Sequence, residues 1–424
     1  MASYFRRGKG YRSRLLAYAM ALATIIVTVA MTQFPKDAFD AAVMGLNLWW
    51  TVVFPALLPF FILSELLMGI GVVHFVGVLL EPLMRPLFNV PGVGAFALSM
   101  GLASGYPMDA VITSKFRQGK LCTAVEAERL LSFTNTADPL FMFGAVAVGM
   151  FGMPELGATI AIAHYLSSFL VGLVFRYHGR TRDDYRTDSP IAGAGHGNIA
   201  LRAFRALYNA KIQDGRSFGQ LLGDSVKNSM QTVLLIGGFI ILFSVFLRII
   251  HAMGITTILT TAVAPLLNLV GFSLNLAPAI VSGLFEIDLG TLAAAQADAP
   301  LVQKVAVAGA IIAWSGLSVH GQVASIVIEA GIRMGPYIFG RLLHAVFAAF
   351  LTILFLGPAE PMIKQVAVPV FFNTTAHSMP FWLTRFAQLT YQLGIILATL
   401  VSISLLYYLY QNMLFAFRKR LLRR

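Results

Sequence analysis

The stretch GLASGYPMDA (residues 101–110) interrupts an apolar run that extends from Val93 to Lys115. Its Ser-Gly-Tyr-Pro centre combines a flexible glycine, a hydroxyl donor and a proline that is suited to begin a new helix. Broken backbone at membrane depth is tolerated only where protein or water satisfies the freed amide and carbonyl groups. We therefore interpret residues 104–107 as a functional helix break, against the alternative of a hairpin turn whose polar groups only satisfy one another.

The composition explains why the surroundings of this break are a membrane. Of the 424 residues, 58% are hydrophobic and 12% are charged, and the mean hydropathy is +0.76. A soluble domain this apolar would expose large hydrophobic patches to water, so lipid is the expected solvent. Several apolar stretches reach the roughly 20 residues that a helix needs to cross a bilayer, and the alternating pattern of a membrane β-barrel does not appear. The sequence predicts an all-α polytopic membrane protein.

Three more apolar stretches are interrupted in a similar way. Ala127–Phe151 breaks at residues 134–139, Leu274–Ala294 breaks at residues 282–283, and Val302–Ala330 breaks around residues 315–322. The four interruptions form two pairs that match in order and spacing. Pro-Leu-Phe-Asn at 86–89 is echoed by Pro-Leu-Leu-Asn at 265–268, and Ser-Gly follows the proline by 18 residues in the first copy and by 17 in the second. We infer an internal repeat.

The placement of charge predicts that the two copies are antiparallel. Residues 1–14 and 418–424 each carry five basic side chains and no acid, and residues 176–216 carry eight basic and four acidic side chains. The positive-inside rule makes all three segments cytoplasmic, which accounts for the net charge of +12 without a nucleic-acid partner. The first copy then begins outside and ends inside, whereas the second begins inside and ends outside.

This reasoning gives a domain plan of five parts. They are a basic cytoplasmic N-terminus with a first membrane anchor (1–44), repeat one (45–176), a basic cytoplasmic loop (177–220), the inverted repeat two (221–357), and an extracytoplasmic loop followed by the last span and a basic cytoplasmic tail (358–424). The expected spans are Leu15–Phe34, Gly45–Gly69, Ala158–Phe175, Leu221–Ile250, Tyr337–Leu356 and Leu389–Leu409.

An inverted pair requires an odd number of crossings per copy. Three crossings fit if the two Ser-Gly stretches are re-entrant hairpins and the other two interruptions are broken helices. The total is then eight crossings and two hairpins. If instead a hairpin crosses the membrane fully, an odd count requires that Val72–Leu80 or Met253–Val263 also spans it. Ten or twelve crossings remain that alternative.

Discontinuous helices in inverted repeats are typical of secondary transporters, which bind substrate at the midplane between the copies. Helix N-termini at such breaks present N–H groups and partial positive charge that suit a carboxylate. The candidate substrate-binding residues are Ser104, Gly105, Tyr106, Thr134, Asn135, Thr136, Ser282, Gly283, Glu286, Ser315, Ser318 and His320. For the polar residues within helices, the structural alternative is helix–helix hydrogen bonding.

Carboxylates in an apolar setting usually face a cavity, bind a cation or carry a proton. The candidates for ion or proton coupling are Asp109, Asp138, Glu286 and Asp288. Glu65 is a further buried acid, for which we expect Arg248 or Arg341 as a partner.

No catalytic signature competes with transport. The sequence has no His-Glu-x-x-His, no Gly-x-Ser-x-Gly, no cysteine–histidine cluster and no phosphate-binding loop. We expect no enzyme activity, no metal and no cofactor. The expected partners are a small-molecule anion, the lipid bilayer and a coupling proton or sodium ion, without nucleic acid, and a homo-oligomer remains open.

Two blocks of sequence resemble a known family. The specific block contains SGYP (104–107), EAERLLSFTNT (126–136), PLF (139–141) and GAV (144–146), and a looser block contains SGLFE (282–286) and WSGLSVHGQ (314–322). These motifs resemble the YlbJ (SpoVV) family of sporulation integral membrane proteins. More distantly, they are similar to the nucleoside-recognition or gate-domain proteins related to concentrative nucleoside transporters.

The resemblance implies a role in endospore formation, in which dipicolinate moves across the outer forespore membrane from the mother cell toward the forespore. It also implies a gate-domain core of two re-entrant hairpins and two broken helices. Carried over by motif, the substrate residues are Ser104, Thr134, Asn135, Glu286, Ser315 and Ser318. The Gln and Glu that nucleoside carriers have at the first hairpin tip are absent here, which disfavours a nucleoside. The alternatives are a carrier for a nucleoside or another metabolite, and a non-transporting scaffold or assembly factor of the spore envelope.

Overall fold

The computed structural model describes residues 2–139, 141–179 and 199–357, together with residues 402, 403, 406 and 410. Over this part of the chain the secondary structure is helical, without strands. The helices are α1 (Ala2–Gln33), α2 (Pro35–Leu48), α3 (Phe54–Gly69), α4 (Val72–Phe88), α5 (Gly94–Ser104), α6 (Met108–Gln118), α7 (Ala124–Thr134), α8 (Leu156–Phe175), α9 (Ile199–Asp214), α10 (Phe218–Ala252), α11 (Ile255–Leu269), α12 (Ala277–Phe285), α13 (Ile287–Gln296), α14 (Leu301–Trp314), α15 (Gly316–Val327) and α16 (Met334–Leu356). Two π-helical segments (Trp49–Val53 and Phe141–Met150) and a 3-10 turn (Leu274–Leu276) complete them.

The order of these helices repeats. The first copy consists of α3, α4, the paired short helices α5 and α6, α7 with the π-helix 141–150, and α8. The second copy consists of α10, α11, the paired short helices α12 and α13, the broken helix α14–α15, and α16. Each copy therefore has a long helix, an amphipathic helix, a helical hairpin, a broken helix and a closing helix, in that order.

The contacts between the copies establish that the repeat is inverted. Tyr106, just before α6, donates a hydrogen bond to the Ile312 carbonyl in the last turn of α14, which precedes α15. Ser114 within α6 donates to the Ile326 carbonyl within α15. The two helices thus run side by side in the same direction. Because a short turn joins α6 to α7 and the two helices pack together, α7 runs the opposite way. The broken helices of the two copies are therefore antiparallel, and the all-α inverted-repeat architecture is confirmed.

The breaks of the first copy lie where the sequence placed them. Helix α5 ends at Ser104 and α6 begins at Met108, while α7 ends at Thr134 and the next helical turn begins at Phe141. In the first break, Gly105 follows the last residue of α5 with a φ of +71°, a conformation that glycine adopts easily. In the second break, α7 ends at Thr134, four residues before the Asp-Pro pair, and Asp138 lies shortly before the next helical segment.

The breaks of the second copy differ from the expectation. The hairpin reverses at Glu286, three residues beyond the expected 282–283, and Ser282 and Gly283 are helical. The two arms of the hairpin approach closely at Gly283, because a Cβ on Gly290 would lie 2.2 Å from the Gly283 Cα. A Cβ on Gly283 itself would lie 2.5 Å from the Ile311 Cγ1 on α14. The broken helix interrupts only at Ser315, so residues 316–322 belong to α15 instead of to a long break.

By length and composition, four described helices can cross a membrane, or up to six if each of two bent pairs counts as one span. The four are Leu156–Phe175, Phe218–Ala252, Leu301–Val327 and Met334–Leu356. Helices α2 and α3 follow one another through the π-helical segment 49–53, and α4 turns by 79° from α3. The expected span Leu389–Leu409 lies almost entirely outside the described residues.

A charged cluster ties three helices together at one end of the bundle. The Glu128 carboxylate near the start of α7 accepts hydrogen bonds from the Arg333 Nη2 at the start of α16 (2.7 Å) and from the His178 Nε2 beyond α8 (2.8 Å). The fully buried Arg129 donates to the carbonyls of Asn89 and His178. The charged motif at 126–129 therefore has a structural role.

The expected partners of Glu65 were wrong. Glu65 pairs with Lys115 at the end of α6, and Arg248 pairs with Asp37 on α2 at 2.7 Å. Arg341 lies elsewhere in the core. Sequence distance gave no guide, because these pairs are made by the packing of helices that are far apart in the chain.

We expect Gly290→Ala to destabilise the second hairpin. The added methyl group would meet the backbone of Gly283, which cannot move as a side-chain tip does, so the free energy of unfolding should fall by about 2 kcal/mol or more. The melting temperature in detergent, monitored by the loss of the folded peak in size-exclusion chromatography, measures the change. Gly238→Ala is the matched control, because nothing lies within 4 Å of its added Cβ. Equal melting temperatures for the two variants would contradict the close packing of the hairpin.

We also expect cysteines introduced at Gln213 and Asn268 to lie on opposite sides of the membrane. Both positions are exposed. Residue 213 lies at the end of α9, in the segment between the copies, and residue 268 lies at the end of α11, after the first long helix of the second copy. The native Cys122 is buried and gives little background. Labelling of intact cells with an impermeant maleimide should modify the residue-268 cysteine alone, since the charge rule places residue 213 inside. Labelling of both cysteines in intact cells would contradict the inversion.

Candidate functional site

The two breaks of the first copy are in contact. Asp138 accepts a hydrogen bond from the Phe141 amide at 2.9 Å, so its carboxylate caps the π-helix 141–150. Gly105, with a φ of +71°, lies against this carboxylate, because a Cβ at that position would be 2.8 Å from the Asp138 Oδ2. Only glycine allows this approach and this backbone conformation together.

The two breaks of the second copy meet with the roles exchanged. Here the hairpin supplies the carboxylate, because Glu286 accepts from the Leu289 amide at 2.9 Å and caps α13. The broken helix supplies the glycine, because Gly316 (φ +70°) lies against residues 285 and 286. In each copy, then, one break carries a helix-capping carboxylate and the other carries a glycine that fits beside it.

The four half-helices that begin at breaks differ in their charge. Asp109 lies in the first turn of α6, Asp138 caps the π-helix, and Glu286 and Asp288 begin α13. The first turn of α15 contains no acid, and Ser315 supplies no side-chain cap. Because helix N-termini carry unsatisfied N–H groups and partial positive charge, α15 is, among these four, the start left open for an anion.

A second feature of the α15 start is an unpartnered histidine nitrogen. The His320 Nδ1 lies 2.7 Å from the Gly316 carbonyl oxygen and must donate to it, which leaves Nε2 as an acceptor in the neutral ring. His320 is buried, and within the described residues Nε2 has no hydrogen-bond partner. The imidazole lies between two aromatic rings, 4.3 Å from the Trp314 centroid and 5.1 Å from that of Tyr337.

A polar network in the core contains three of the predicted residues. The Asn135 Nδ2 donates to Asp109 at 2.7 Å, and the Thr134 hydroxyl donates to the other carboxylate oxygen at 3.1 Å. Tyr337 on α16 donates to the Asn135 Oδ1 at 2.9 Å. All four side chains are fully buried. The network connects the first hairpin, the first broken helix and the closing helix of the second copy.

Arg341 is the buried cation of this core. Its guanidinium donates to the carbonyls of Ser132 and Asn135 at the end of α7 and, at 3.5 Å, to that of Ala313 at the end of α14. It also donates to the His344 Nδ1 at 3.0 Å. Carbonyls at a helix C-terminus carry partial negative charge, so Arg341 holds together the ends of both broken helices. Within the described residues it pairs with no carboxylate within 4 Å.

Two histidines mark the place where the closing helices of the copies meet. The rings of His164 on α8 and His344 on α16 lie 4.5 Å apart between centroids. The His164 Nε2 accepts from the Ala137 amide at 3.0 Å, and the His344 Nε2 donates to the His164 carbonyl at 2.9 Å. These bonds assign a neutral tautomer to each ring. They attach α8 to the first broken helix and α16 to α8.

The remaining predicted hydroxyls are bonded close to their own backbone. Ser104 donates to the Met100 carbonyl at 2.6 Å, Thr136 to that of Thr134 at 3.4 Å, and Ser315 to that of Trp314 at 2.6 Å. Ser318 is buried on α15, whereas Ser282 and Asp288 are partly exposed. The roles of these residues in binding and coupling stay predictions.

Sequence reasoning missed Tyr337, Arg341, His164 and His344 as members of the core. An arginine inside the apolar helix α16 was the available signal, because an ionised group at membrane depth needs a partner. Its partners are backbone carbonyls, which a search for oppositely charged side chains does not find. In the described chain, no group of three or more metal-ligating side chains is close enough to hold an ion.

Comparisons with known proteins match a family model and several solved structures. The Gate family, described as nucleoside recognition, matches residues 50–162. A structure of CNTnw in an inward-facing substrate-bound state aligns with a TM-score of 0.40 and 13% identity, covering 78% of this chain and 85% of that one. A CNTnw variant in an intermediate state aligns with a TM-score of 0.39 and 13% identity, covering 78% and 86%.

The comparison with curated proteins is more specific. The sporulation integral membrane protein YlbJ of Bacillus subtilis (strain 168) is 45% identical over 349 residues, which are 82% of this chain and 84% of that protein. The chain therefore belongs to the YlbJ family of sporulation integral membrane proteins.

Proposed function

We propose that this protein is a secondary transporter that carries a small organic anion, with dipicolinate as the first substrate to test. The observation that supports it most is the open N-terminus of α15, which begins at a helix break inside the core and has the unpartnered His320 beside it. The other break-associated helix starts carry their own carboxylates. A ligand carboxylate at α15 would supply the negative charge that this helix start lacks.

The surroundings favour a flat ligand. Trp314, His320 and Tyr337 form a continuous aromatic group beside the helix start. An aromatic ring gains stabilisation from offset or edge-on contacts with such a group, at centroid separations of about 4.5–7 Å. Dipicolinate combines a planar ring with two carboxylates, and the B. subtilis relative is named as a sporulation protein. We propose transport across the outer forespore membrane, from mother cell to forespore.

The nearby acids offer a means of coupling. Gly316, at the open helix start, lies against the Glu286 backbone, and Asp288 follows two residues later. A dianion entering here would be repelled by ionised carboxylates, so proton uptake by Glu286 or Asp288 would favour its binding. Asp109 and Asp138 are the corresponding candidates in the first copy. Sodium is the alternative coupling ion.

A second candidate function follows from the same histidine. As an acceptor, the His320 Nε2 suits a hydroxyl or N–H donor on a neutral ligand, as a nucleoside would supply. The third candidate, a scaffold of the spore envelope, needs no ligand at all. Competition and mutagenesis separate these functions.

In proteoliposomes, we expect saturable uptake of radiolabelled dipicolinate under an imposed proton or sodium gradient. Unlabelled dipicolinate should compete, and nucleosides should not. Empty liposomes are the control. If dipicolinate flux does not saturate under either gradient, the substrate assignment is wrong, and competition by nucleosides would favour the second function. If Ser104→Ala, Asn135→Ala and Glu286→Gln all leave sporulation intact at normal protein levels, the scaffold is favoured.

We expect His320→Phe to weaken substrate binding about tenfold while preserving the fold. Phenylalanine keeps an aromatic ring between Trp314 and Tyr337 but removes both ring nitrogens. A bound carboxylate would favour the protonated imidazolium, in which the Nε2 becomes a donor to the anion. The loss of that hydrogen bond to a charged group is worth about 1.5–3 kcal/mol. The apparent KM for uptake measures the effect. His251→Phe, at an exposed position on α10, is the matched control. An unchanged KM for His320→Phe would remove His320 from the binding site.

We expect Arg341→Gln to abolish uptake and to lower the free energy of unfolding by about 2–4 kcal/mol. Glutamine cannot bond the ends of both broken helices, so buried carbonyls lose their donors. Arg248→Gln, which removes an exposed ion pair with Asp37, should cost less than about 1 kcal/mol. Thermal unfolding and uptake are measured for both variants. Similar losses for the two variants would show that Arg341 has no special role.

A further inference from the structure

Helix α9 is fixed firmly to the body of the protein although it lies outside both repeats. Ile199 and Ala203 are buried against Val78 of α4, and the rings of Phe75 and Phe204 lie 4.9 Å apart. The helix also crosses closely over the turn before α4, since a Cβ on Gly71 would lie 2.5 Å from the Leu207 carbonyl oxygen. Helix α9 is therefore a built element of the fold.

The face of α9 that points away from the protein is apolar. Its large side chains are between 51% and 65% exposed, and they are Leu201, Phe204, Tyr208 and Ile212. Spacings of three and four residues place them in one stripe, on the side opposite the buried Ala203. Four bulky apolar residues exposed to water on one stripe would be costly.

A polar stripe runs along one flank of the same helix. Arg202, Arg205, Asn209 and Gln213 recur at the same spacing, about a quarter turn from the apolar stripe. Within the described residues, neither arginine makes an ion pair, whereas Lys211 pairs with Asp214. Helix α9 thus has three faces: one packs against the protein, one is apolar and exposed, and one carries the two arginines.

We propose that α9 lies in the membrane interface, with its apolar stripe inserted into the bilayer and with Arg202 and Arg205 bound to anionic phospholipid headgroups. A helix that lies in the membrane interface contacts acyl chains on one side and lipid headgroups on the adjacent side. The neighbouring apolar and polar stripes of α9 match this arrangement. The apolar stripe also continues toward the start of a candidate membrane-spanning helix. Four residues after α9, the exposed Phe218 begins α10, which is long and apolar enough to cross the membrane.

The inference gives α9 a role that transport alone does not require. Helix α9 covers α4, and α4 leads directly into the first hairpin. Headgroups held by Arg202 and Arg205 would fix the depth of α4 and hence the depth at which the hairpin enters the membrane. The proposal is independent of the identity of the substrate.

Bimane labels on single cysteines test the insertion of α9. We would place them at Leu201 and Tyr208 on the apolar stripe and at Asn209 on the polar stripe, in the full chain reconstituted into phosphatidylcholine–phosphatidylglycerol vesicles. Brominated lipid should quench the labels at 201 and 208, and aqueous iodide should quench the label at 209. Strong iodide quenching at 201 and 208 would overturn the proposal. Shielding of these labels from both quenchers would overturn it in favour of a protein contact.

The charge half of the proposal is tested with the variant Arg202→Gln/Arg205→Gln. Native mass spectrometry would compare retained phosphatidylglycerol with retained phosphatidylcholine. The preference for the anionic lipid should fall about tenfold or more, because each basic residue near an anionic surface contributes on the order of 1 kcal/mol. Lys36→Gln/Lys304→Gln removes the same charge from outside α9 and should leave the preference unchanged. An unchanged preference in the arginine variant, with a normal melting temperature, would overturn the headgroup assignment.

Discussion

The buried guanidinium of Arg341 is the interaction on which the rest of the core depends. Two helices of opposite direction end near the same point, and their last carbonyls would repel one another without a donor between them. The single Arg341 cation donates hydrogen bonds to the terminal carbonyls of both helices and so removes this repulsion. Its planar guanidinium reaches carbonyls from two helices, which the compact ammonium group of a lysine cannot do. The helix breaks are therefore tolerated inside the membrane, because the protein supplies hydrogen-bond donors to the carbonyl groups that the breaks leave unpaired.

Around Arg341, each copy brings its hairpin break and its broken helix together with one glycine and one helix-capping carboxylate, but the two copies place these residues in opposite elements. The first copy has its glycine in the hairpin and its capping carboxylate in the broken helix, and the second copy has the reverse. This exchange keeps an acidic residue beside a glycine in both places. The glycine contacts the Asp138 carboxylate in the first copy and the Glu286 backbone in the second. The backbone is therefore more symmetric than the side chains.

Much of the fold could be predicted from the sequence, because apolar length, basic segments and helix-breaking residues each act locally. The first two breaks were located correctly on that basis. The third was misplaced because a Ser-Gly pair has two uses, and Gly283 serves close packing of hairpin arms instead of a turn. The core was harder to predict. Asp109, Thr134 and Asn135 were recognised as polar residues in apolar runs, but their contact with Tyr337 and Arg341 depends on the docking of α16, which no local pattern encodes.

The open start of α15 makes the charge distribution of the two copies asymmetric, although their helices follow the same order. Three of the four interrupted helices carry their own negative charge at the break, and one does not. In a carrier built from inverted repeats, the two copies are expected to exchange conformations as the protein opens first to one side of the membrane and then to the other. Here the two open states cannot be equivalent, because the copies differ in charge at their helix starts. The cargo would meet a different electrostatic environment from each side of the membrane. A preferred direction of loading would then be inherent in the chain, before any gradient acts on it.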